Sequence, residues 1–159
     1  MVLSESLNRP SWNKTFMDEC ELHSMRSTCL RRKVGAVAVR DKRVLATGYN
    51  GAPPGHPHCE VCIREQLEIP SGQMAELCKG LHAEQNLIIQ AAKFGINLSG
   101  SIIYCTTAPC SICMKMLVSI NFEKIIYKDH YNDQNSVQIA NNCGYKYVKG
   151  IDFFEIVKA

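Results

Sequence analysis

Several things are scarce in this sequence, and each shortage removes a class of function. No apolar run in the 159 residues approaches the roughly 20 needed for a helix to cross a bilayer. A membrane role is therefore not expected. Charge is neither abundant nor one-sided: 21% of residues are charged and the formal net charge is +3. Binders of nucleic acid concentrate far more positive charge on one surface, so no nucleic-acid partner is expected; a mild excess suits a small anionic metabolite. Internal repeats, low-complexity segments and composition shifts that would mark a domain boundary are all missing. Met1 to Pro10 is polar and lacks the apolar core of a secretory leader. The expectation is a single cytoplasmic domain over residues 1–159, long enough for a sizeable core.

Cysteine, by contrast, is plentiful. In a reducing compartment nine thiols point to metal ligation or to burial as small apolar side chains. An odd number also argues against a complete disulfide framework. Two of the nine fall in Pro109-Cys110-Ser111-Ile112-Cys113, and an imidazole and a carboxylate stand close together upstream in His82-Ala83-Glu84.

The surrounding pattern alternates helices and strands. Residues 11–29 read as a first helix capped by Ser11, with Trp12, Phe16, Met17, Cys20 and Met25 on its apolar face. The β-branched run Val34 to Val39 reads as a buried strand, Asp41-Lys42 as a tight turn, and Arg43 to Thr47 as the returning strand. Arg31-Arg32-Lys33 reads more readily as a solvated strand entrance than as a phosphate site, its alternative. Gly48 to Gly55 is too rich in glycine and proline to continue a strand, so it is expected to be a loop that backbone can bring close to a ligand. Asn50 in that loop offers both donors and an acceptor. Residues 56–81 are expected to hold one or two short helices broken at Pro70-Ser71-Gly72. Further helices are predicted over 84–94, 110–120 and 133–142, alternating with strands at 102–106 and 124–127 and at least one near the C-terminus. The predicted fold class is α/β: a three-layer αβα sandwich around a mixed five-stranded sheet.

Placed at two helix starts, His82, Cys110 and Cys113 can converge on one metal ion. Cys110 and Cys113 are three residues apart and share a helix face, and helix N-termini favour the anionic thiolates that bind metal. Pro109 suits a first helical turn. Three protein ligands leave zinc a fourth position for water, whose pKa zinc lowers to about 7. Glu84, two residues from the imidazole, is placed to stay off the metal and move protons. A second cluster is possible. Cys59-x-x-Cys62 and Cys78 supply three thiols, and Cys29, His56 or His58 could complete a closed structural zinc site.

The combination H-x-E…P-C-x-x-C is the signature of zinc-dependent nucleobase deaminases. From about Trp12 to Asn132 the chain resembles the deoxycytidylate (dCMP) deaminases, including related proteins of bacterial competence operons. The resemblance rests on Arg26-Ser27-Thr28-Cys29, Val34-Gly35-Ala36-Val37, Gly48-Tyr49-Asn50-Gly51, His82-Ala83-Glu84-Gln85-Asn86 and Thr106 to Cys113. It implies a cytidine deaminase-like fold, catalytic zinc on His82, Cys110 and Cys113, and Glu84 as proton shuttle. It further implies nucleotide contact by Asn50 and a second zinc on Cys29, Cys59, Cys62 and Cys78. The implied reaction is dCMP plus water to dUMP plus ammonia, the step that feeds thymidylate synthesis. The implied assembly is a hexamer activated by dCTP with Mg²⁺ and inhibited by dTTP. A Tyr-Asp pair that closes over the base in the family resembles Tyr131-Asn132-Asp133. The stretch Ile63 to Leu77 is longer than in many members. Two other readings compete: a related zinc deaminase acting on another base, nucleoside or tRNA, and a non-catalytic zinc-binding module.

Overall fold

The computed structural model describes residues 8–159, so most of the polar Met1–Pro10 stretch lies outside the described residues. Helix α1 spans Trp12–Ser24 and begins as expected, with Ser11 Oγ accepting from Lys14 N–H at 3.1 Å. It buries Phe16, Met17 and Cys20. It ends five residues before the sequence-based limit of residue 29. There Ser27 Oγ accepts from the Cys29 N–H, a local turn that competes with continued helix.

The hairpin forms as predicted: β1 is Gly35–Arg40 and β2 is Arg43–Tyr49. Asp41 and Lys42 between them have φ of 52° and 58°, the positive pair of a type I′ turn. The chain then passes a one-turn helix α2 (Ile63–Gln66) and a 3₁₀ turn (Ala75–Leu77), which flank the expected break at Pro70. Next come α3 (Ala83–Lys93), β3 (Ile102–Thr107), α4 (Ser111–Ser119), β4 (Lys124–Asp129) and α5 (Gln134–Asn142). The last two strands are β5 (Tyr145–Lys149) and β6 (Phe154–Lys158).

The sheet has six strands in the order β2-β1-β3-β4-β6-β5, one more than predicted. The sixth arises because both C-terminal segments pair: β6 runs antiparallel to β4 and to β5. The β3–β4 pair is parallel and β1–β3 antiparallel, so the sheet is mixed as expected. Its two faces carry separate cores. Phe16, Met17 and Cys20 of α1 pack with Val37, Tyr104 and Ile126 on one face. Leu87 of α3, Met114 and Leu117 of α4 and Ala140 of α5 pack with Ala36, Ile103 and Ile125 on the other. Strict alternation along the strands makes this a three-layer arrangement.

One departure sets the position of the site. Gly48 lies within β2, not in the loop that was predicted to begin there. A Cβ at Gly48 would stand 2.2 Å from the Ala83 carbonyl oxygen and 2.6 Å from the Leu87 nitrogen. The absence of a side chain therefore lets the backbone of α3 sit flush on β2, which fixes the height at which His82 and Glu84 enter the cleft.

Candidate metal centre and active-site cleft

His82 and Cys110 are the N-cap residues of α3 and α4, both in extended backbone conformation. Predicted helix starts are thus one residue late for α3 and one early for α4. Pro109 consequently precedes the cap of α4 and does not occupy its first turn; its carbonyl accepts from Ser136 Oγ at 2.7 Å. At α3 the Gln85 side-chain oxygen accepts from the His82 N–H at 2.7 Å, so the cap is closed by Gln85 and the imidazole is free to point into the cleft.

His82 Nδ1 lies 3.3 Å from Cys110 Sγ and 3.4 Å from Cys113 Sγ. Zn–N of about 2.0 Å and Zn–S of about 2.3 Å would put such ligand atoms roughly 3.5 Å apart around a tetrahedral ion. The observed spacing fits zinc directly. Among the described residues this is the one trio of metal-type ligand atoms lying mutually within 4.8 Å. Glu84 is buried beside it, its Oε2 3.6 Å from Cys113 Sγ. Cys105 is fully buried in β3.

The electrostatics of the cluster follow from its geometry. The Cys113 thiol beside Cys110 holds the Cys110 thiol down to about 4, with His82 adding to the effect. Cys113 shifts upward, first through that same bond to Cys110 and then through burial. The opposite directions make Cys110 the sulfur that loses its proton more readily. His82 is raised by its bond to Cys110, against the effects of burial and the nearby Arg64 charge. Burial raises the Glu84 carboxyl above the usual range, so it holds a proton more readily than a surface glutamate.

A cleft of about 330 Å³ opens over the cluster. Its walls include Asn50, Glu84, Thr107, Tyr131 and the segment around Arg64 and Ser71. Asn50 lines it, yet its side chain is already engaged: Oδ1 accepts from the Val34 N–H at 2.8 Å and Nδ2 donates to the Arg32 carbonyl at 2.7 Å. It clamps the entrance to β1 from the cleft wall. Cys29, Cys59, Cys62 and Cys78 also line the cleft, but they do not form a close sulfur cluster. Tyr131 is half-buried at the rim with the Arg32 guanidinium 5.4 Å from its ring centre.

Two contributions were not legible in the sequence. Asp133 caps α5 and also reaches back to α4: its Oδ1 accepts from Ser136 N–H at 3.1 Å and its Oδ2 from Ser111 N–H at 2.7 Å. Cys110 gives α4 no side-chain cap, so Asp133 supplies the acceptor that a metal ligand at the cap position cannot. Burial would raise the Asp133 carboxyl, but those N–H bonds outweigh it and hold it below its ordinary value. The second is Arg64, which no local pattern marked and which the tertiary fold brings to the cleft. The neighbouring Arg31 and Arg32, read as a solvated strand entrance, line the cleft as well.

Comparison with known proteins accords with this geometry. Residues 10–129 match the family described as the cytidine and deoxycytidylate deaminase zinc-binding region. The chain is 34% identical over 146 residues to a deoxycytidylate deaminase of Schizosaccharomyces pombe, covering 90% of this chain and 45% of that protein. It is 39% identical over 128 residues to ComE operon protein 2 of Bacillus subtilis, covering 79% and 63%. A deoxycytidylate deaminase of Mycobacterium phage D29 is 35% identical over 126 residues, with 76% of this chain and 97% of that protein covered. The chain thus spans about half to two thirds of the length of the first two relatives and nearly all of the phage protein. The crystal structure of dCMP deaminase from the cyanophage S-TIM5 in complex with dCMP and dUMP superposes with a TM-score of 0.73 at 32% identity, covering 87% and 96% of the two chains. With its cytidine deaminase-like sheet and its His–Cys–Cys cluster, the chain belongs to the cytidine and deoxycytidylate deaminase zinc-binding family.

Proposed function

We propose that this chain hydrolyses dCMP to dUMP and ammonia. The observation that carries the reading is the buried Glu84 carboxyl beside the His82–Cys110–Cys113 trio at the floor of a cleft. Similarity to deoxycytidylate deaminases, one of them solved with dCMP and dUMP, supports the choice of substrate.

His82 Nδ1 and the Cys110 and Cys113 sulfurs would hold zinc, whose bound form supplies Lewis-acid activation of water at neutral pH. Glu84 takes the proton of the attacking water and delivers it to the ring nitrogen that accepts charge as the C4 centre becomes tetrahedral. It then takes the proton of the hydroxyl added at C4 and passes it to the exocyclic amine, which leaves as ammonia as the C4–N bond breaks and the C4 carbonyl forms. Its burial supports this work, because a raised carboxyl pKa lies nearer the operating pH and improves transfer in both directions. Asn50 orients the sugar through the amide hydrogen and lone pair it retains. Cys29, Cys59, Cys62 and Cys78, which line the same cleft, would hold the second, structural zinc that the resemblance implies. The chain works as one domain in the cytoplasm, as part of a homo-oligomer that resemblance makes a hexamer. Resemblance likewise supports dCTP with Mg²⁺ as activator and dTTP as inhibitor.

The test is ammonia release from cytosine, cytidine, deoxycytidine, dCMP and dCTP, with dCMP expected to give the highest kcat/KM. Another best substrate would overturn the assignment. In Glu84→Gln, zinc content should hold while kcat falls about 10²–10⁴-fold, the usual contribution of general acid–base catalysis. Retained activity, or zinc lost together with activity, would remove the shuttle role; no ammonia release from any substrate by the intact protein would favour a non-catalytic zinc module.

A further inference from the structure

Of the trio, Cys110 is the residue whose own helix does not fix its backbone. Cys113 lies inside α4, and His82 is steadied by the Gln85 cap and by the Gly51–Leu81 bridge just before it. Cys110 stands where strand gives way to helix, with φ −73° and ψ 170°. The backbone bonding that follows β3 stops at Ala108, whose N–H donates to the Asp129 carbonyl at 2.8 Å. Pro109 has no N–H to continue it. Within α4 the first acceptor is the Cys110 carbonyl, reached by the Met114 N–H at 2.8 Å. The Pro109 carbonyl and the Ser111 N–H, the two peptide groups flanking Cys110, therefore need partners from elsewhere.

Both find them at the start of α5. The Ser111 N–H donates to Asp133 Oδ2 at 2.7 Å, and the Pro109 carbonyl accepts from Ser136 Oγ at 2.7 Å. Ser136 is only 2% exposed, although a hydroxyl in a first helical turn could equally face water. Its Oγ also lies 3.3 Å from Tyr147 Oη. A carbonyl can only accept, so the single Ser136 proton is committed to Pro109 and the Tyr147 hydroxyl is the donor to Ser136. Burial raises the Tyr147 phenol above its ordinary value, which keeps it protonated for that role. The result is a directed chain from Tyr147 O–H through Ser136 O–H to the Pro109 carbonyl, in which each bond polarises the next. Ser136 and Tyr147 both lie beyond residue 129, where the match to the zinc-binding family ends.

We propose that Ser136, held by Tyr147, is a positioning residue for the Cys110 sulfur and controls how long the trio retains its metal. With Asp133 it fixes both peptide planes about the Cys110 Cα, and those planes set the direction in which the side chain leaves the backbone. That direction decides whether Sγ reaches the point toward which His82 Nδ1 and Cys113 Sγ converge. Groups behind a metal ligand act in this way, by orienting the ligand without touching the metal. The inference rests on the reading of the trio as a zinc site and adds a role for α5 and β5 in it.

The experiment follows metal release from the zinc-loaded protein to a chromogenic chelator, and the absorption of the cobalt-substituted protein. The release phase missing from Cys110→Ser belongs to the trio. In Ser136→Ala that phase should quicken by about tenfold, the lower end of the usual effect of losing a group behind a metal ligand. The thiolate-to-cobalt band should shift, and kcat for dCMP should fall while KM holds. Tyr147→Phe leaves Ser136 in place and should move each readout the same way by less; it carries the test if Ser136→Ala does not fold. Tyr145→Phe is the control, because it removes from the same strand a hydrogen bond remote from the trio, the one donated to the Phe122 carbonyl at 3.0 Å. It should lower the melting temperature and leave the release rate and the cobalt band unchanged. Wild-type release and absorption in both Ser136→Ala and Tyr147→Phe would overturn the proposal. So would equal effects of Tyr145→Phe and Tyr147→Phe, which would reduce the chain to general stability. Wild-type protein that holds no metal at the trio would instead overturn the zinc reading, and this inference with it. Release and absorption need no turnover, so absence of ammonia release from dCMP would remove the deaminase reading alone.

Discussion

Replacing Asp133 by alanine tests whether the metal cluster depends on a carboxylate that touches none of its ligands' side chains. Asp133 accepts from the first-turn N–H groups of both α4 and α5, at 2.7 Å from Ser111 and 3.1 Å from Ser136. Loss of one N-cap typically costs about 1 kcal/mol, and hydrogen bonds to a charged acceptor are worth about 1.5–3 kcal/mol. Water can replace part of what a half-buried carboxylate provides, so about 2 kcal/mol is the expected loss for the pair. At this chain length that corresponds to a melting temperature lower by roughly 4–8 °C. Because α4 begins at Cys110 and carries Cys113, zinc affinity should fall as well. Asp133→Asn keeps one acceptor oxygen and should lose about half as much stability. The sign of the pH dependence is determined. The folded carboxyl is depressed, so its contribution is complete above the unfolded value of about 3.9 and is lost as pH falls through the lower folded value. The gap between wild type and Asp133→Ala should therefore narrow below about pH 4. Thermal unfolding from pH 7 to pH 3, with zinc content by elemental analysis, measures both. An Asp133→Ala protein with wild-type melting temperature and zinc content would refute the reasoning.

Three further outcomes are expected. Gly48→Ala should destabilise by about 1–3 kcal/mol, as overpacking usually does, because the new Cβ would meet the α3 backbone; a denaturant midpoint equal to wild type would contradict the close approach. Cys110→Ser should abolish zinc retention at the trio, since a serine hydroxyl is a far weaker zinc ligand than a thiolate; dialysis against a mild chelator followed by metal analysis reads this. For the second site, the intact protein should hold about two zinc ions per chain and Cys59→Ser/Cys62→Ser about one. A stoichiometry of one in the intact protein would remove that site.

Much of the site could be read from residue types and spacing, because its chemistry is local. His82 and Glu84 are two residues apart, Cys110 and Cys113 three, and each pair lies at a helix start whose capping and periodicity are written in neighbouring residues. The hairpin was legible for the same reason: Asp41 and Lys42 separate two apolar runs by a two-residue turn. The sixth strand was harder to foresee. Tyr145–Lys149 and Phe154–Lys158 are short and equally strand-like, and only the free edge of β4 decides that both are used.

What the sequence determined by itself was therefore the kind of chemistry: an imidazole, two thiols and one carboxylate at spacings that a helix turns toward a common point. What only the tertiary structure decided was the environment of that chemistry. The closeness of α3 to β2 depends on a missing side chain at Gly48 meeting backbone some 35 positions away. The support of α4 by Asp133 joins two helix starts across an intervening strand. The approach of Arg31 and Arg64 to one turn depends on carbonyls distant in sequence from Arg31. These contacts join residues remote in the chain, and no local periodicity encodes which remote partners a folded sheet will bring together.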